Sequence, residues 1–261
     1  MIHHATSSVF QPRRIQTIGS RVDSLNTPTT TEERLPFTVR LVRNEEDLSK
    51  AVQIRHSAYA RHMPAVAETL IFPEKADTED GVVVLLAESK LDGSPLGTVR
   101  IQTNRHQPLS LEKSVELPAW LMDQPLAQVS RLGITQGVIG RMVKIILIKA
   151  SFQYCEHQEI RWAMVAARAP LDRQYAQLMF EDVFPGSKYI PLPHMNNVPH
   201  RVMQFEIETG KSRWTEACHP LLKFFCDTYH PDIDIDDSDI TGSMDMTKPF
   251  SSWGYANARK S

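Results

Sequence analysis

The sequence predicts an α/β protein with one domain, built around a mixed and mostly antiparallel β-sheet. Two observations carry this prediction. In the first half of the chain, "GVVVLLAE" (81–88) and "LGTVRIQT" (96–103) are joined by Asp-Gly turn chemistry, which indicates a β-hairpin. In the second half, strand-like and helix-like segments alternate, which indicates β–α–β units in the same sheet.

Size and composition fit one domain and exclude several function classes. The chain has 261 residues, 41% of them hydrophobic, which is enough for one sizeable core. Its 29 basic and 31 acidic residues give no positive surplus that would favour nucleic acid. Three cysteines do not form a disulfide framework. No apolar run reaches the ~18 residues of a membrane span, and no secretory signal is evident. We therefore expect a cytoplasmic protein.

The N-terminal third is predicted to contain a lead-in, a strand and a helix. Residues 1–35 are polar and predict a flexible segment. "FTVRLV" (37–42) alternates like a strand, and Asn44 is expected to cap a helix with three acids in its first turn. The apolar stripe of this helix also carries Arg55, which needs an acceptor if it is buried. An irregular stretch (61–80) then leads to the hairpin.

The segment "LAQVSRLGI" (126–134) reads as a strand, although Gln128, Ser130 and Arg131 interrupt its apolar run. Strand alternation places Gln128 and Ser130 on one face of the sheet and Arg131 on the other. The segment 137–158 is apolar almost all round and predicts a central buried helix.

The remaining chain completes the domain. We predict a strand over 160–167, a helix over 169–180, strands over 188–192 and 201–209, and a helix over 212–230 that is interrupted near Pro220. The expected organisation is a flexible segment (1–35), one domain (36–210), a C-terminal helix packed on it (211–232) and an acidic mobile tail (233–261).

Five short motifs occur in a fixed order within residues 37–210. They are "IRHSAYARHM" with Arg55, "ADTED" with Asp77 and Asp80, "GTVRI" with Arg100, "AQVSRLGI" with Arg131, and "YAQLMF" with Tyr175. In this order they resemble the N-acyl amino acid synthases of the FeeM type, which are relatives of the acyl-homoserine lactone synthases and have the GCN5-related acetyltransferase (GNAT) fold.

The resemblance implies a GNAT-like domain whose central strands, 126–134 and 160–167, splay apart and leave backbone groups for a pantetheine arm. It implies an N-acyltransferase that moves a long-chain fatty acyl group to the α-amine of an amino acid. The donor would be an acyl-phosphopantetheine thioester, on an acyl carrier protein or on coenzyme A, and no permanent cofactor is expected. The implied partners are an acyl carrier protein and the amino-acid substrate.

The resemblance also implies a set of acceptor-binding and catalytic residues. An arginine set can bind a carboxylate, acidic side chains can attract an ammonium group, and Tyr175 can protonate the departing thiolate. The same arginines can instead form a buried ion-pair network that only fixes the fold. The expected acceptor-binding residues are Arg55, Tyr59, Arg100, Gln128 and Arg131, and the expected catalytic residues are Tyr175, Asp77, Asp80 and Ser130.

The donor is expected to bind through backbone groups and the N-terminus of the central helix, where the dipole favours an anion. The residues assigned to it are Leu132, Ile134, Gly137, Gly140 and Arg141. However, "TQGVIGR" (135–141) lacks the spacing of the fold's pyrophosphate signature. This weakens an assignment to coenzyme A and leaves an acyl carrier protein open.

A second departure concerns the base. Gln128 stands where the family has a glutamate, and a carboxamide cannot accept a proton as a general base. Two alternatives stay open, and Gln128 bears on the second. One is an acyl-homoserine lactone synthase or a small-molecule acetyltransferase, and the other is an inactive, regulatory acyl-ligand-binding module.

Metal and thiol chemistry are not expected. Cys218, His219, Cys226 and His230 contain zinc-capable atoms but lack the paired spacing of a zinc site. Cys155 lies inside the apolar helix, where a buried thiol is inert.

Overall fold

The computed structural model describes residues 30–236 of the chain. Its strands and α-helices are joined in several places by short helical turns. The strands are β1 (Thr31–Glu32), β2 (Phe37–Leu41), β3 (Val82–Ser89), β4 (Pro95–Thr103), β5 (Leu126–Ile134), β6 (Trp162–Ala167), β7 (Glu181–Asp182), β8 (Tyr189–Leu192), β9 (Val198–Glu206), β10 (Thr228–Tyr229) and β11 (Ile233–Asp234). The helices are α1 (Glu45–Ala60), α2 (Pro64–Ala67), α3 (Gly137–His157), α4 (Leu171–Gln177) and α5 (Ile207–Glu216).

One mixed sheet organises the described residues. Its strand order is β11-β2-β3-β4-β5-β6-β9-β7, and β8 pairs with the same strand as β7. The pairs β5–β6 and β11–β2 are parallel, and the other pairs in this sheet are antiparallel. The predicted α/β domain with a mostly antiparallel sheet is confirmed.

Helix α1 begins as its sequence predicts. The side chain of Asn44 accepts a hydrogen bond from the Asp47 amide at 2.9 Å, and three acids occupy the first turn. Both features stabilise a helix N-terminus. The helix then packs across β4 and β5, which brings Arg55 into the interior of the domain.

Helix α3 covers the opposite face of the sheet. Val143, Ile146, Leu147 and Ala150 are fully buried and pack with apolar residues of β2 to β6. Beyond this core lies a group of rings that we call the aromatic cluster, formed by Phe152, Tyr175, Phe180, Phe205, Trp214 and Phe225. Within residues 30–236, none of the helices combines the length and the apolar character needed to cross a membrane.

The structure moves both predicted domain boundaries. At the N-terminal boundary, β1 pairs with β10 and Leu35 is buried, so residues 30–35 belong to the folded domain. At the C-terminal boundary, β11 pairs with β2 and Ile235 is buried, so residues 233–236 also belong to the folded domain. Apolar side chains within these polar stretches cause both differences. The rest of the predicted segment and tail, residues 1–29 and 237–261, lie outside the described residues.

The helices near the C-terminus are shorter than the sequence predicts. Strand β9 ends at Glu206, so residues 207–209, which the sequence predicts as strand, begin helix α5 instead. Helix α5 (Ile207–Glu216) overlaps the predicted C-terminal helix only at residues 212–216. Cys218 has φ of 48°, and Pro220 follows without an amide hydrogen, so the helix cannot continue. Helix α4 ends early as well, and Met179 beyond it has φ of 67°.

Candidate active site

A β-bulge in β5 redirects Arg131. Arg100 on β4 is paired with Ser130, but Thr98 is paired with Gly133, so one extra residue of β5 is inserted between these two pairs. Arg131 adopts φ of 56°, which is uncommon for a side chain other than glycine. The expected alternation, with Arg131 on the face opposite Ser130, is therefore wrong, because a bulge interrupts it. The guanidinium of Arg131 reaches the same carboxylate as that of Arg100.

Three arginines converge with two carboxylates in what we call the arginine–carboxylate cluster: Arg55, Glu74, Asp77, Arg100 and Arg131. Arg55, which is fully buried, donates to both oxygens of Asp77 at 2.8 and 2.9 Å. Arg131 donates to both oxygens of Glu74, each at 2.6 Å. Arg100 bridges the two pairs, at 3.1 Å from Glu74 and 3.3 Å from Asp77.

The charges in this cluster set each other's pKa. Burial alone would raise the pKa of Asp77, but the hydrogen bonds and charge of Arg55 outweigh it and lower that pKa below its ordinary value. The pKa of Glu74 is lowered in the same way, chiefly by Arg131. Burial lowers the pKa of Arg100, which remains charged because guanidinium is a very weak acid. Both carboxylates are ionised at neutral pH.

Glu74 is the member that the sequence analysis missed. Its backbone amide donates a hydrogen bond to the Asp77 carboxylate at 2.8 Å, and the two residues form a reciprocal capping box around a helical turn. Two signals point to it in the sequence. Three arginines need more than one buried carboxylate, and an acid three residues before Asp77 fits a capping box.

Three other predicted site residues, Tyr59, Asp80 and Gln128, differ in whether they contact the cluster. Tyr59 borders the cluster, since it contributes, after Glu74, to the raised pKa of Arg131. Asp80 is exposed on the loop before β3 and does not pair with the arginines. Gln128 is buried, and its side-chain oxygen accepts the Leu111 amide at 2.9 Å, which holds the loop between β4 and β5.

Tyr175 lies on the other side of the sheet, in the aromatic cluster. Its ring centroid is 5.0 Å from that of Phe180, and only 4% of the residue is exposed. Burial, and to a smaller extent Tyr59, raises the pKa of Tyr175 above its ordinary value. The phenol therefore stays protonated at neutral pH.

A gap opens between β5 and β6. Their parallel pairing ends at Val129 and Val165, whereas β6 remains paired with β9 as far as Ala167. The amide of Thr135 bonds to β4, so alternation turns the backbone groups of Ile134 away from β4 and toward the gap. The Ile134 carbonyl accepts a hydrogen bond from Arg61 at 2.6 Å. The predicted splayed strands are confirmed.

Helix α3 begins beside this gap. The residue before it, Gln136, makes no side-chain capping bond, and no acid occupies the first turn. A β-carbon on Gly140 would lie 1.9 Å from the Thr135 carbonyl oxygen, so the tight turn between β5 and α3 requires glycine there. Arg141 is exposed in the same first turn. The helix N-terminus is thus open to an anion.

Comparison with known proteins supports the fold from a separate direction. No protein-family model matches the chain, and no curated protein matches it by sequence. Among solved structures, FeeM, an N-acyl amino acid synthase from uncultured soil microbes, is 17% identical with a TM-score of 0.54, and the match covers 72% of this chain and 96% of FeeM. The chain has the GNAT fold.

BjaI, a CoA-dependent acyl-homoserine lactone synthase, is a second similar structure with this fold. It is 15% identical with a TM-score of 0.52, and the match covers 74% of this chain and 93% of BjaI. Its structure was determined with SAM and isopentyl-CoA.

Proposed function

We propose that this protein is an N-acyltransferase that moves a fatty acyl chain from a pantetheine thioester to the α-amine of an amino acid. The observation that carries the proposal is the gap between β5 and β6, which opens where pairing stops after Val129 and Val165. The arginine–carboxylate cluster lies on one side of this gap and the aromatic cluster on the other. FeeM and BjaI, which share the fold, are named as an N-acyl amino acid synthase and an acyl-homoserine lactone synthase.

The donor binds in the gap in this proposal. Its pantetheine arm pairs with backbone groups of Leu132 and Ile134, as an added strand would. Its phosphate meets the amides of the first turn of α3, near Gly137, Gly140 and Arg141, where the helix dipole favours an anion. Arg61 then leaves the Ile134 carbonyl, to which it bonds at 2.6 Å without a donor.

The acceptor binds on the side of the arginine–carboxylate cluster. Three guanidinium groups face two carboxylates there, which leaves one unbalanced positive charge. A substrate carboxylate can balance this charge. Asp77 accepts hydrogen bonds at both oxygens from Arg55, so its role in this proposal is to order the cluster, while Tyr59, Ser130 and Arg131 contact the acceptor.

The reaction needs a neutral amine, a fixed carbonyl and donors for the oxyanion. The backbone amides of β5 beside the gap supply such donors. Tyr175, held protonated by burial, can give a proton to the departing thiolate. Its position among aromatic rings also fits a site that an apolar chain approaches.

Thiol release by the purified protein tests the proposal. The donors are palmitoyl carrier protein, palmitoyl-CoA and acetyl-CoA, each offered with the twenty amino acids, and mass spectrometry identifies the products. We expect multiple turnovers with a long-chain donor and an N-acyl amino acid as product. Comparison of the two palmitoyl donors decides between carrier protein and coenzyme A. No product with any of these donors would contradict the proposal.

Two observations favour other functions, and the same assay separates them. Similarity to BjaI favours a lactone synthase, which S-adenosylmethionine added to the acceptor panel would detect as an acyl-homoserine lactone. Gln128, which anchors the Leu111 amide and cannot act as a base, favours a binding module. Stoichiometric thioester binding without thiol release would support that module.

A further inference from the structure

The proposed reaction requires a proton acceptor, and the residues that the sequence indicated do not provide one. Gln128 cannot accept the proton, and both carboxylates of the arginine–carboxylate cluster are engaged by arginines. Two histidines, His194 and His200, lie beside the cluster on the segment that runs from the end of β8 into β9.

A hydroxyl group fixes the proton of His194. The Ser114 hydroxyl donates its only hydrogen to the Ser110 carbonyl at 2.8 Å. The same hydroxyl oxygen lies 2.6 Å from Nδ1 of His194, so it accepts a hydrogen from that nitrogen. In the neutral ring Nε2 then carries a free lone pair. This atom is buried and, among the described residues, has no hydrogen-bond partner.

The ring lies near the charges of the cluster, since Arg131, Arg100 and Glu74 all act on its pKa. Met195, the next residue, receives a hydrogen bond at its sulfur from Arg131 at 3.1 Å. Burial, together with the charges of Arg131, His200 and Arg100, lowers the pKa of His194 to about 4, against a smaller opposing effect of Glu74. The imidazole is therefore neutral at physiological pH, with an unprotonated nitrogen beside the cluster.

We propose that His194 is the general base of the acyl transfer, an assignment that rests on the proposed function. The amine nitrogen attacks the thioester carbon, a C–N bond forms, and the carbonyl electron pair moves to oxygen. The nitrogen gains positive charge and becomes strongly acidic, so its proton passes to Nε2 of His194. The oxyanion then reforms the carbonyl, the C–S bond breaks, and the thiolate takes up a proton, which leaves an amide and a free thiol.

His200 provides the matched control. Its Nδ1 donates to the Val198 carbonyl at 2.7 Å, and burial lowers its pKa as well. His200 is almost fully buried, whereas His194 is partly exposed, although its Nε2 atom is covered. The two histidines thus share a tautomer but differ in exposure.

Kinetics of histidine variants test the assignment. We expect His194→Gln and His194→Ala to lower kcat by about a hundredfold or more with little change in KM. Added imidazole should restore part of the rate of His194→Ala, while His200→Gln should stay within about threefold of the unmodified protein. A kcat of His194→Gln within threefold of the unmodified protein would overturn the assignment while leaving the proposed function intact.

Nitrogen-15 NMR of the histidine rings tests the same geometry without any turnover. We expect His194 to remain neutral down to about pH 5 with its hydrogen on Nδ1, and we expect Ser114→Ala to shift the ring toward the other tautomer. A hydrogen on Nε2 in the unmodified protein would overturn the assignment by itself. If the unmodified protein shows the expected hydrogen on Nδ1 but releases no thiol with any donor, the proposed function fails instead. Thermal unfolding of each variant confirms that it is folded.

Discussion

The two faces of the sheet fill the space beside the β5–β6 gap in opposite ways. On the α1 face, the arginine–carboxylate cluster pairs five charged groups within 3.5 Å, and all of them except Glu74 are buried. On the α3 face, the aromatic cluster consists of packed rings. The ring centroid of Phe152 alone lies 4.9 to 5.9 Å from the centroids of four others. One gap therefore separates a charged wall from an apolar wall.

This difference gives each half of the proposed reaction its own surface. A zwitterionic acceptor is stabilised by fixed charges, which cost no reorganisation when the substrate arrives. A fatty acyl chain is stabilised by leaving water for an apolar surface. The charged wall also depends on pairing, since an unpaired buried charge is far more costly than a lost ring contact.

Removal of one buried carboxylate should have the largest effect. Asp77→Ala leaves Arg55 buried without its partner, so we expect the free energy of unfolding in urea to fall by about 3–5 kcal/mol. Asp80→Ala, on the exposed part of the same loop, should change it by less than about 0.5 kcal/mol. Equal losses in the two variants would show that the cluster does not hold the loop.

A paired apolar replacement then sharpens the result. Arg55→Met combined with Asp77→Leu removes both charges, so it should regain much of the stability that Asp77→Ala loses. If this double variant is stable but inactive, the charges of the wall serve the acceptor as well as the fold.

The second effect is a dependence of stability on pH. The pKa values of Asp77 and Glu74 are lower in the folded protein than in the unfolded chain, so the folded protein binds fewer protons. Their contribution to stability is complete above the unfolded-state values of about 4 and is lost as the pH falls through the folded-state values. We therefore expect the urea midpoint to fall steeply below about pH 4.

A variant of the apolar wall is the control for that titration. Phe152→Leu should lower the urea midpoint by a similar amount at every pH, because a ring has no proton to exchange. Asp77→Asn should instead flatten the acid limb of the profile. An unchanged acid limb in Asp77→Asn would contradict the assignment of acid sensitivity to the charged wall.

A smaller effect on stability and on donor binding is expected at the turn between β5 and α3, beside the gap. Gly140→Ala places a β-carbon 1.9 Å from the Thr135 oxygen and must displace the turn before α3. We expect a loss of about 1–3 kcal/mol in stability and a rise of about tenfold in the KM of the thioester donor. Val138→Ala, exposed in the same helical turn, should leave both unchanged, and equal KM values in the two variants would place the donor elsewhere.

Local patterns in the sequence predicted the elements, while contacts between distant segments determined the site. The bounds of β5 and the cap at Asn44 follow from neighbouring residues, and both are confirmed. The face of Arg131 depends on a bulge against β4, which no periodicity reveals. His194 acquires its tautomer from Ser114, 80 residues earlier, so only the folded chain identifies it.

Amide hydrogen exchange tests the central claim, that the gap between β5 and β6 holds the thioester donor, most directly. Exchange is compared with and without a non-hydrolysable palmitoyl thioether of pantetheine phosphate. We predict slower exchange at residues 130–134 of β5 and in the first turn of α3, with little change at residues 126–129, where β5 and β6 are already paired. Protection confined to other segments, or no protection at a saturating ligand concentration, would contradict the claim.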